Sequence, residues 1–220
     1  MQRALIIGCT GQDGSFLTKS LLQKGFEVTG TTRKADKYIE NHNLLGISKD
    51  IDLRTLDMCD LESLKALISE ITPEQIYYLA AQSSVGKSFN YPEETIKSIS
   101  IGTATLLEAY KQSGIDSRLF FAGSGEIFGE TKGKAGLNHP LKPTNPYAIA
   151  KITSLQLVDL YRNLYGIEAC TGILFNHESE LRTNNFVTQK IINGAIHAAN
   201  NKDYKIQLGN IHIERDWGFA

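Results

Sequence analysis

The stretch Ala4-Leu5-Ile6-Ile7-Gly8-Cys9-Thr10-Gly11-Gln12-Asp13-Gly14 decides the fold, because a short apolar run breaks there into three regularly spaced glycines. The run has the length and β-branched content of a buried strand, and the leucines at 17, 21 and 22 recur at helical spacing. A strand, a glycine-rich turn and a helix in this order can bind the pyrophosphate of a dinucleotide at the helix N-terminus. An ordinary βα turn without a ligand is the alternative.

Each glycine of this turn has a separate role in such a site. Gly8 permits the tight turn after the strand, Gly11 lets backbone N–H groups approach the anion, and Gly14 lets the helix pack closely on the strand. The spacing G-x-x-G-x-x-G resembles that of short-chain dehydrogenase/reductase-like proteins.

The composition argues against several classes of protein. The formal net charge is −1 and the basic residues are spread along the 220 residues, so no nucleic-acid partner is predicted. No apolar run reaches the roughly 18–20 residues of a membrane span. The N-terminus enters the first strand without a signal peptide, so we expect a cytoplasmic protein with no membrane partner. The three cysteines and five histidines are dispersed, which predicts neither a disulfide framework nor a metal site.

Strand and helix patterns alternate along the rest of the chain. Further strands are predicted at 26–32, 51–56, from 75 and at 118–122, and helices at 61–69, 93–112 and from 147. Residues 35–50 are polar and are predicted to be irregular. The alternation predicts an α/β fold with a Rossmann-type doubly wound parallel sheet covered on both faces. The carboxyl ends of its strands then meet along one edge.

Arg33 and Lys34 follow the second predicted strand and bear on the choice of dinucleotide. An acidic residue there would hydrogen-bond the adenosine ribose and favour NAD, whereas a cationic pair can hold the 2′-phosphate of NADP. The pair therefore favours NADP as the cofactor, and a solvated loop tip is the alternative.

The ends of the third and fourth predicted strands supply further candidate contacts for the cofactor. Asp57 can meet the adenine amino group, or it can neighbour a helix cap in which Asp60 is the N-cap residue. Leu79, Ala80 and Ala81 end the fourth strand, where small side chains allow a cofactor to approach closely.

Tyr147 and Lys151 form the pattern that carries chemistry. They follow a proline-rich loop at 138–146 and stand four residues apart, which places them on one face of a helix. A phenol has an unperturbed pKa near 10, and a nearby ammonium favours the phenolate. The same lysine can reach a ribose hydroxyl of a dinucleotide. Such pairs also arise by chance, but the position of this one behind a glycine-rich first turn favours a function.

These residues belong to a wider resemblance that covers essentially the whole chain. The chain resembles the extended short-chain dehydrogenase/reductases, and among them the GDP-mannose 4,6-dehydratase family. The most specific segments are Gly11-Gln12-Asp13-Gly14-Ser15, Gly172-Ile173-Leu174-Phe175-Asn176-His177-Glu178-Ser179, Asn185-Phe186-Val187-Thr188-Gln189-Lys190-Ile191, Leu208-Gly209-Asn210 and Arg215-Asp216-Trp217-Gly218-Phe219-Ala220. The resemblance implies an NADP-binding Rossmann domain at 1–171 and the beginning of a smaller C-terminal substrate lobe at 172–220.

The resemblance also implies a reaction, a redox-neutral 4,6-dehydration of GDP-mannose through bound NADP. Tyr147 would take the proton of the sugar 4-hydroxyl, Ser124 would hydrogen-bond the same oxygen, and Lys151 would tune the tyrosine. Glu126 would remove the C5 proton and deliver a proton to the departing C6 hydroxyl. The product would be GDP-4-keto-6-deoxy-mannose.

Binding residues follow from the resemblance in the same way. Besides the three glycines, the strand ends and the Tyr/Lys pair, the implied cofactor contacts are Thr10, Gln12, Asp13, His177 and Arg182. The implied contacts to the GDP-sugar substrate are Ser83, Asn176, Val187, Lys190 and Arg215. Each could instead be a structural loop residue. The implied assembly is a homodimer or a homotetramer.

Two features leave alternatives open. Glu180 and Gln189 depart from the usual residues of the family, which would permit another GDP-hexose or a GDP-heptose as the substrate. The chain stops at Ala220 within a matching segment, where family members continue, so we expect a fragment. A non-catalytic NADP-binding fragment is therefore the second alternative.

Overall fold

The computed structural model describes residues 1–35 and 39–220. The chain divides into two compact units, Met1–Leu174 and Phe175–Ala220. The described part of the first unit contains the strands β1 (Arg3–Ile7), β2 (Glu27–Thr32), β3 (Asp52–Thr55), β4 (Gln75–Tyr78), β5 (Arg118–Ala122) and β6 (Ala169–Gly172). The second unit contains β7 (Asn176–Glu178) and β8 (Trp217–Phe219).

The larger sheet is parallel throughout and has the order β3-β2-β1-β4-β5-β6. Because β1 pairs with β2 on one side and with β4 on the other, the strand order reverses between β1 and β4. Ligands of open α/β sheets bind outside the carboxyl ends of the strands at such a reversal. The predicted doubly wound Rossmann fold is confirmed, and β6 is a sixth strand that the sequence pattern did not indicate.

The helices predicted at 61–69, 93–112 and from 147 lie close to their predicted positions, and further helices form at 40–45, 85–90 and 187–200. In chain order, the helices are α1 (Gln12–Gln23), α2 (Glu40–Leu45), α3 (Leu61–Ile71), α4 (Val85–Asn90), α5 (Pro92–Ile96), α6 (Gly102–Ser113), α7 (Pro146–Tyr165) and α8 (Val187–Asn200). A π-helical turn at Lys97–Ile101 joins α5 to α6, so the long helix predicted at 93–112 has the expected extent but a bulge in its middle. Within the described ranges, no helix has both the length and the apolar character to cross a bilayer.

The prediction of an irregular segment at 35–50 is wrong where α2 forms. Residues 36–38 of that segment lie outside the described residues. The predicted cap of α3 is confirmed, because the Asp60 carboxylate accepts a hydrogen bond from the Ser63 backbone N–H at 3.2 Å.

Alternate residues of β1 pack on opposite faces of the sheet. Leu5 and Ile7 join a core that includes Leu64 of α3 and Leu107 of α6. Ala4 and Ile6 join a second core, which includes Leu21 of α1. Because both faces are covered, the strand reads as a continuous apolar run and not as an alternating one. The two cores fix the carboxyl end of β1, where the glycine-rich turn begins.

Candidate active site

The glycine-rich turn follows β1 directly, and a side chain would be tolerated at only some of its three glycine positions. Gly8 has a φ of +89°, and a Cβ there would lie 2.6 Å from the Cα of Ala80. A Cβ at Gly14 would lie 2.6 Å from the Cα of Cys9. At Gly11, in contrast, the nearest atom would be the Gly8 carbonyl oxygen at an ordinary 3.6 Å. The fold therefore requires Gly8 and Gly14, whereas Gly11 leaves open, exposed backbone at the start of α1.

Helix α2 holds this turn from one side. The Asn41 side-chain amide donates a hydrogen bond to the Thr10 carbonyl at 3.1 Å. The His42 Nε2 lies 2.9 Å from the Cys9 carbonyl, and His42 has no exposed surface. Because a carbonyl only accepts, Nε2 carries the hydrogen. These two residues were missed by sequence reasoning, since the polar composition of the segment gave no helical periodicity.

His42 predicts a pH dependence of stability. Burial lowers the pKa of its imidazole below the ordinary value of about 6.5. As the pH falls below about 6.5, the unfolded chain binds this proton first, so the free energy of unfolding decreases until the folded pKa is passed. We expect His42→Gln, whose amide retains a donor, to flatten that decrease in urea titrations between about pH 7 and 5. His212→Gln, at an exposed position, is the control. An unchanged slope in His42→Gln would contradict the assignment.

The segment after β4 lies beside the glycine-rich turn. The Leu79 backbone N–H donates to the Ile7 carbonyl at 2.9 Å, and Ala80 is the residue that a side chain at position 8 would strike. Ala81 packs against a small cluster that contains Tyr147. The structure therefore brings these three predicted cofactor contacts between the turn and the tyrosine. Ser83 follows them and is exposed.

The four predicted catalytic residues are held near the carboxyl end of β5. The Lys151 ammonium donates to the carbonyl of Ala122, the last residue of β5, at 2.7 Å. Ser124 follows two residues later, and its hydroxyl accepts from the Glu126 backbone N–H at 3.2 Å. Tyr147 stands one turn before Lys151 on α7, and both are largely buried.

The Lys151 ammonium lies in an apolar and aromatic environment. Its Nζ is 5.0 Å from the centre of the Phe121 ring and 5.7 Å from that of Tyr147. Burial lowers the pKa of Lys151 to about 8, and the negative charge of Asp13 on α1 partly opposes this shift. A pKa of about 8 keeps most of the lysine protonated at neutral pH. A cation is therefore present beside Tyr147, and the charge of Asp13 in the glycine-rich turn stabilises it.

Asn145 links the two segments that carry these residues. It is the N-cap of α7, and its Oδ1 accepts from the Ala148 backbone N–H at 2.8 Å. Its Nδ2 donates to the Glu126 Oε2 at 3.3 Å. Sequence reasoning missed this residue, although an Asn before a proline at the first helical position indicates an N-cap.

Two other predicted cofactor residues lie at the ends of β2 and β3. Arg33 directly follows β2 and is exposed. The Asp57 carboxylate accepts from the Cys59 backbone N–H at 3.0 Å, as a neighbour of the Asp60 cap. This contact favours the structural alternative for Asp57, and its contact with adenine stays a prediction.

The second unit contains the remaining predicted binding residues. β7 begins at Asn176 and pairs in parallel with β8 at Trp217, two residues after Arg215. α8 begins at Val187, with Lys190 in its first turn, and both side chains are exposed. Asn176 and Arg215 therefore share one end of the small sheet.

His177 and Arg182 are engaged within the second unit. The Arg182 guanidinium lies 3.3 Å from the Glu178 carboxylate and stacks 3.5 Å from the centre of the Phe186 ring. The His177 Nδ1 is 2.7 Å from the Phe175 carbonyl. The contacts of these two residues with a nicotinamide or phosphate stay predictions.

Comparison with known proteins decides the family. A family model described as GDP-mannose 4,6 dehydratase matches residues 5–220. GDP-mannose 4,6 dehydratase 2 of Arabidopsis thaliana is 42% identical over 231 residues, which cover 99% of this chain and 61% of that protein. The chain belongs to the GDP-mannose 4,6-dehydratase family. It spans about three fifths of the length of the relatives that it matches.

Another member of the family is similar over the whole chain, and more distant solved structures share the fold. The GDP-mannose 4,6-dehydratase of Vibrio cholerae is 38% identical over 100% of this chain and 61% of its own length. A UDP-glucose 4-epimerase of Thermus thermophilus, solved in complex with NAD, has a TM-score of 0.85 at 25% identity and covers 99% of this chain and 70% of that one. A dTDP-glucose 4,6-dehydratase of Streptomyces venezuelae has a TM-score of 0.87 at 19% identity, over 98% of this chain and 67% of that one. The dehydratase family and these enzymes share the fold.

Proposed function

We propose that this chain carries the catalytic part of an NADP-dependent GDP-mannose 4,6-dehydratase, a lyase that forms GDP-4-keto-6-deoxy-mannose. The observation that carries the proposal is the grouping of Ser124 and Glu126 with Tyr147 and Lys151 around the end of β5. Glu126 separates this reaction from a 4-epimerisation, which leaves the C5 proton in place and needs no carboxylate for it. The family membership and its named relatives support the same reaction.

The residues present fit a dinucleotide. The open backbone at Gly11 and the start of α1, which lacks a side-chain cap, suit a pyrophosphate. Arg33 supports NADP over NAD, since its guanidinium can pair with a 2′-phosphate. The structural neighbours include enzymes solved with NAD, which supports a nicotinamide cofactor of either kind. A nicotinamide held there would supply reversible hydride transfer, between the sugar C4 and C6.

At C4, the chain's own groups move one proton. Tyr147, as phenolate, takes the proton of the 4-hydroxyl while Ser124 donates a hydrogen bond to the same oxygen. The Lys151 cation favours that phenolate, because an opposite charge nearby stabilises the ionised form. Loss of this proton together with the C4 hydride leaves a C4 ketone, which acidifies the neighbouring C5–H.

At C5 and C6, Glu126 moves the second proton. Its carboxylate takes the C5 proton and delivers a proton to the C6 hydroxyl, which leaves as water. The C5–C6 double bond that forms then takes up at C6 the hydride removed from C4, and at C5 a proton from solvent, which balances the proton that Tyr147 took from the 4-hydroxyl. The net result is loss of one water with no change in the oxidation state of the cofactor.

The C-terminal part of the chain would bind the nucleotide of the substrate. We assign 1–171 to NADP binding and 172–220 to the beginning of the sugar-nucleotide lobe. Lys190, near the start of α8, and Arg215 supply cations for a diphosphate, and Asn176 and Val187 complete the proposed GDP contacts. The Gln189 amide is engaged with the Ser179 carbonyl at 3.1 Å, which supports a structural reason for its departure from the family pattern.

We also propose a cytoplasmic homodimer or homotetramer. The π-helical turn at Lys97–Ile101 and α7 expose apolar side chains that would be covered in an assembly, among them Ile101, Ile149, Leu160 and Leu164. Such side chains are costly to leave in water when they lie on neighbouring packed helices.

The test is product formation. The full polypeptide that the gene encodes, incubated with GDP-mannose and either NADP or NAD, is expected to release GDP-4-keto-6-deoxy-mannose, detected by mass spectrometry and NMR. More product with NADP supports the cofactor assignment, and equal or greater product with NAD contradicts it. No product with either cofactor would overturn the proposed activity.

A further inference from the structure

We propose that Asn145 is a positioning residue that holds the Glu126 carboxylate at a fixed place relative to Tyr147. The proposal deepens the dehydratase function proposed above and rests on it. Asn145 is 6% exposed, so water has little access to replace its contacts.

The orientation of the Asn145 amide follows from its two partners. The Ala148 backbone N–H can only donate, so the atom 2.8 Å from it is the Oδ1. The Nδ2 then faces Glu126, whose Oε2 lies at 3.3 Å, with the Thr144 hydroxyl at 3.5 Å. The cap bond therefore aims the donor at the carboxylate.

This hydrogen bond restricts rotation of the Glu126 carboxyl group, because one of its oxygens is bonded to the N-cap residue of α7. The carboxylate is therefore held in one orientation relative to that helix.

The link matters because two proton-moving groups act on adjacent carbons of one sugar. Tyr147 serves C4 and stands on α7 two residues after Asn145, whereas Glu126 serves C5 and stands on the loop after β5. The side-chain amide of Asn145 links α7 to the loop after β5. A displacement of about 1 Å between reacting groups can cost on the order of 10²-fold in rate.

Asn145→Ser is the decisive variant, because serine is also a good N-cap but is too short to reach Glu126. We expect an unfolding midpoint close to that of the wild type and a nearly unchanged KM. We expect kcat to fall on the order of 10²-fold. Oxidation at C4 does not need Glu126, so reduced nicotinamide should accumulate in a rapid burst, visible by its fluorescence.

Thr144→Ala is the matched control, because it removes the contact of the Asn145 Nδ2 with the Thr144 hydroxyl. It should retain kcat within about 3-fold.

A second variant guards against an effect on folding. Asn145→Asp keeps the shape and the cap but turns a carboxylate toward Glu126, so its kcat should fall at least as far as in Asn145→Ser. The double variant Glu126→Gln/Asn145→Ser should be no slower than Glu126→Gln alone, because the two residues act as one unit.

The possible results distinguish a failure of the role of Asn145 from a failure of the dehydratase function. Wild-type kcat in Asn145→Ser, or equal loss of the burst and of dehydration, would overturn the role of Asn145 while the dehydratase function stands. A further fall of 10-fold or more in the double variant would overturn it too. A wild-type protein that shows no dehydration would overturn the proposed function, and the role of Asn145 with it.

Discussion

Glu126→Gln is expected to lower the rate of dehydration by about 10²–10⁴-fold, the usual contribution of a positioned general acid or base. The amide keeps the size of the side chain but cannot take the C5 proton. Removal of hydride from C4 depends on Tyr147 and Lys151, so it should continue. The variant should therefore oxidise one equivalent of substrate and stop with the nicotinamide reduced.

Rapid-mixing fluorescence of reduced nicotinamide, combined with product analysis, measures both halves of this prediction. Glu130→Gln is the matched control, because Glu130 is an exposed carboxylate four residues further along the same loop. The control should keep wild-type turnover. Dehydration by Glu126→Gln at the wild-type rate would show that another group moves the C5 proton.

Gly8→Ala is expected to destabilise the folded chain by about 2–6 kcal/mol, from backbone strain and overpacking together. At a φ of +89°, an L side chain is strained, and its Cβ would lie 2.6 Å from the backbone of Ala80.

Gly11→Ala meets no such contact, so its cost in folding stability should stay under about 1 kcal/mol, as for a change at a helix N-cap. Its methyl group would instead stand where the pyrophosphate approaches and weaken NADP binding by about 10- to 100-fold.

Urea unfolding measures the stability of the two variants, and NADP titration measures their affinity for the cofactor. We expect a large loss of stability in Gly8→Ala, and a loss of NADP affinity with little loss of stability in Gly11→Ala. Wild-type affinity in Gly11→Ala would remove the main reason for placing a pyrophosphate at this turn.

The parts of the fold and site that could be predicted are those with a local pattern. The run before Gly8, the glycine spacing and the Tyr147–Lys151 interval each depend on neighbours within a few residues. They therefore located β1, α1 and the face of α7 that carries Tyr147 and Lys151. The family resemblance added Glu126, whose role no local pattern would have indicated. The roles of these residues remain proposals that the variants above test.

The parts that were missed depend on partners far along the chain. β6 has the sequence Ala169-Cys170-Thr171-Gly172, with little apolar character, and forms because β5 offers it a pairing edge. α2 is short and polar, and its His42 is buried by the turn that it holds. Asn145 was visible as a cap, but its bond to Glu126 joins positions 19 residues apart in sequence. Tertiary contacts decide all three features, and local sequence patterns do not report them.

The proposed reaction transfers hydrogen internally from C4 to C6 of the sugar, with loss of water. The most direct measurement uses GDP-mannose deuterated at C4, with the protein and NADP in ordinary water, and NMR of the product. We predict deuterium in the C6 methyl group and a solvent hydrogen at C5. Deuterium lost to water, or retained at C4 of unconverted or epimerised sugar, would contradict the claim.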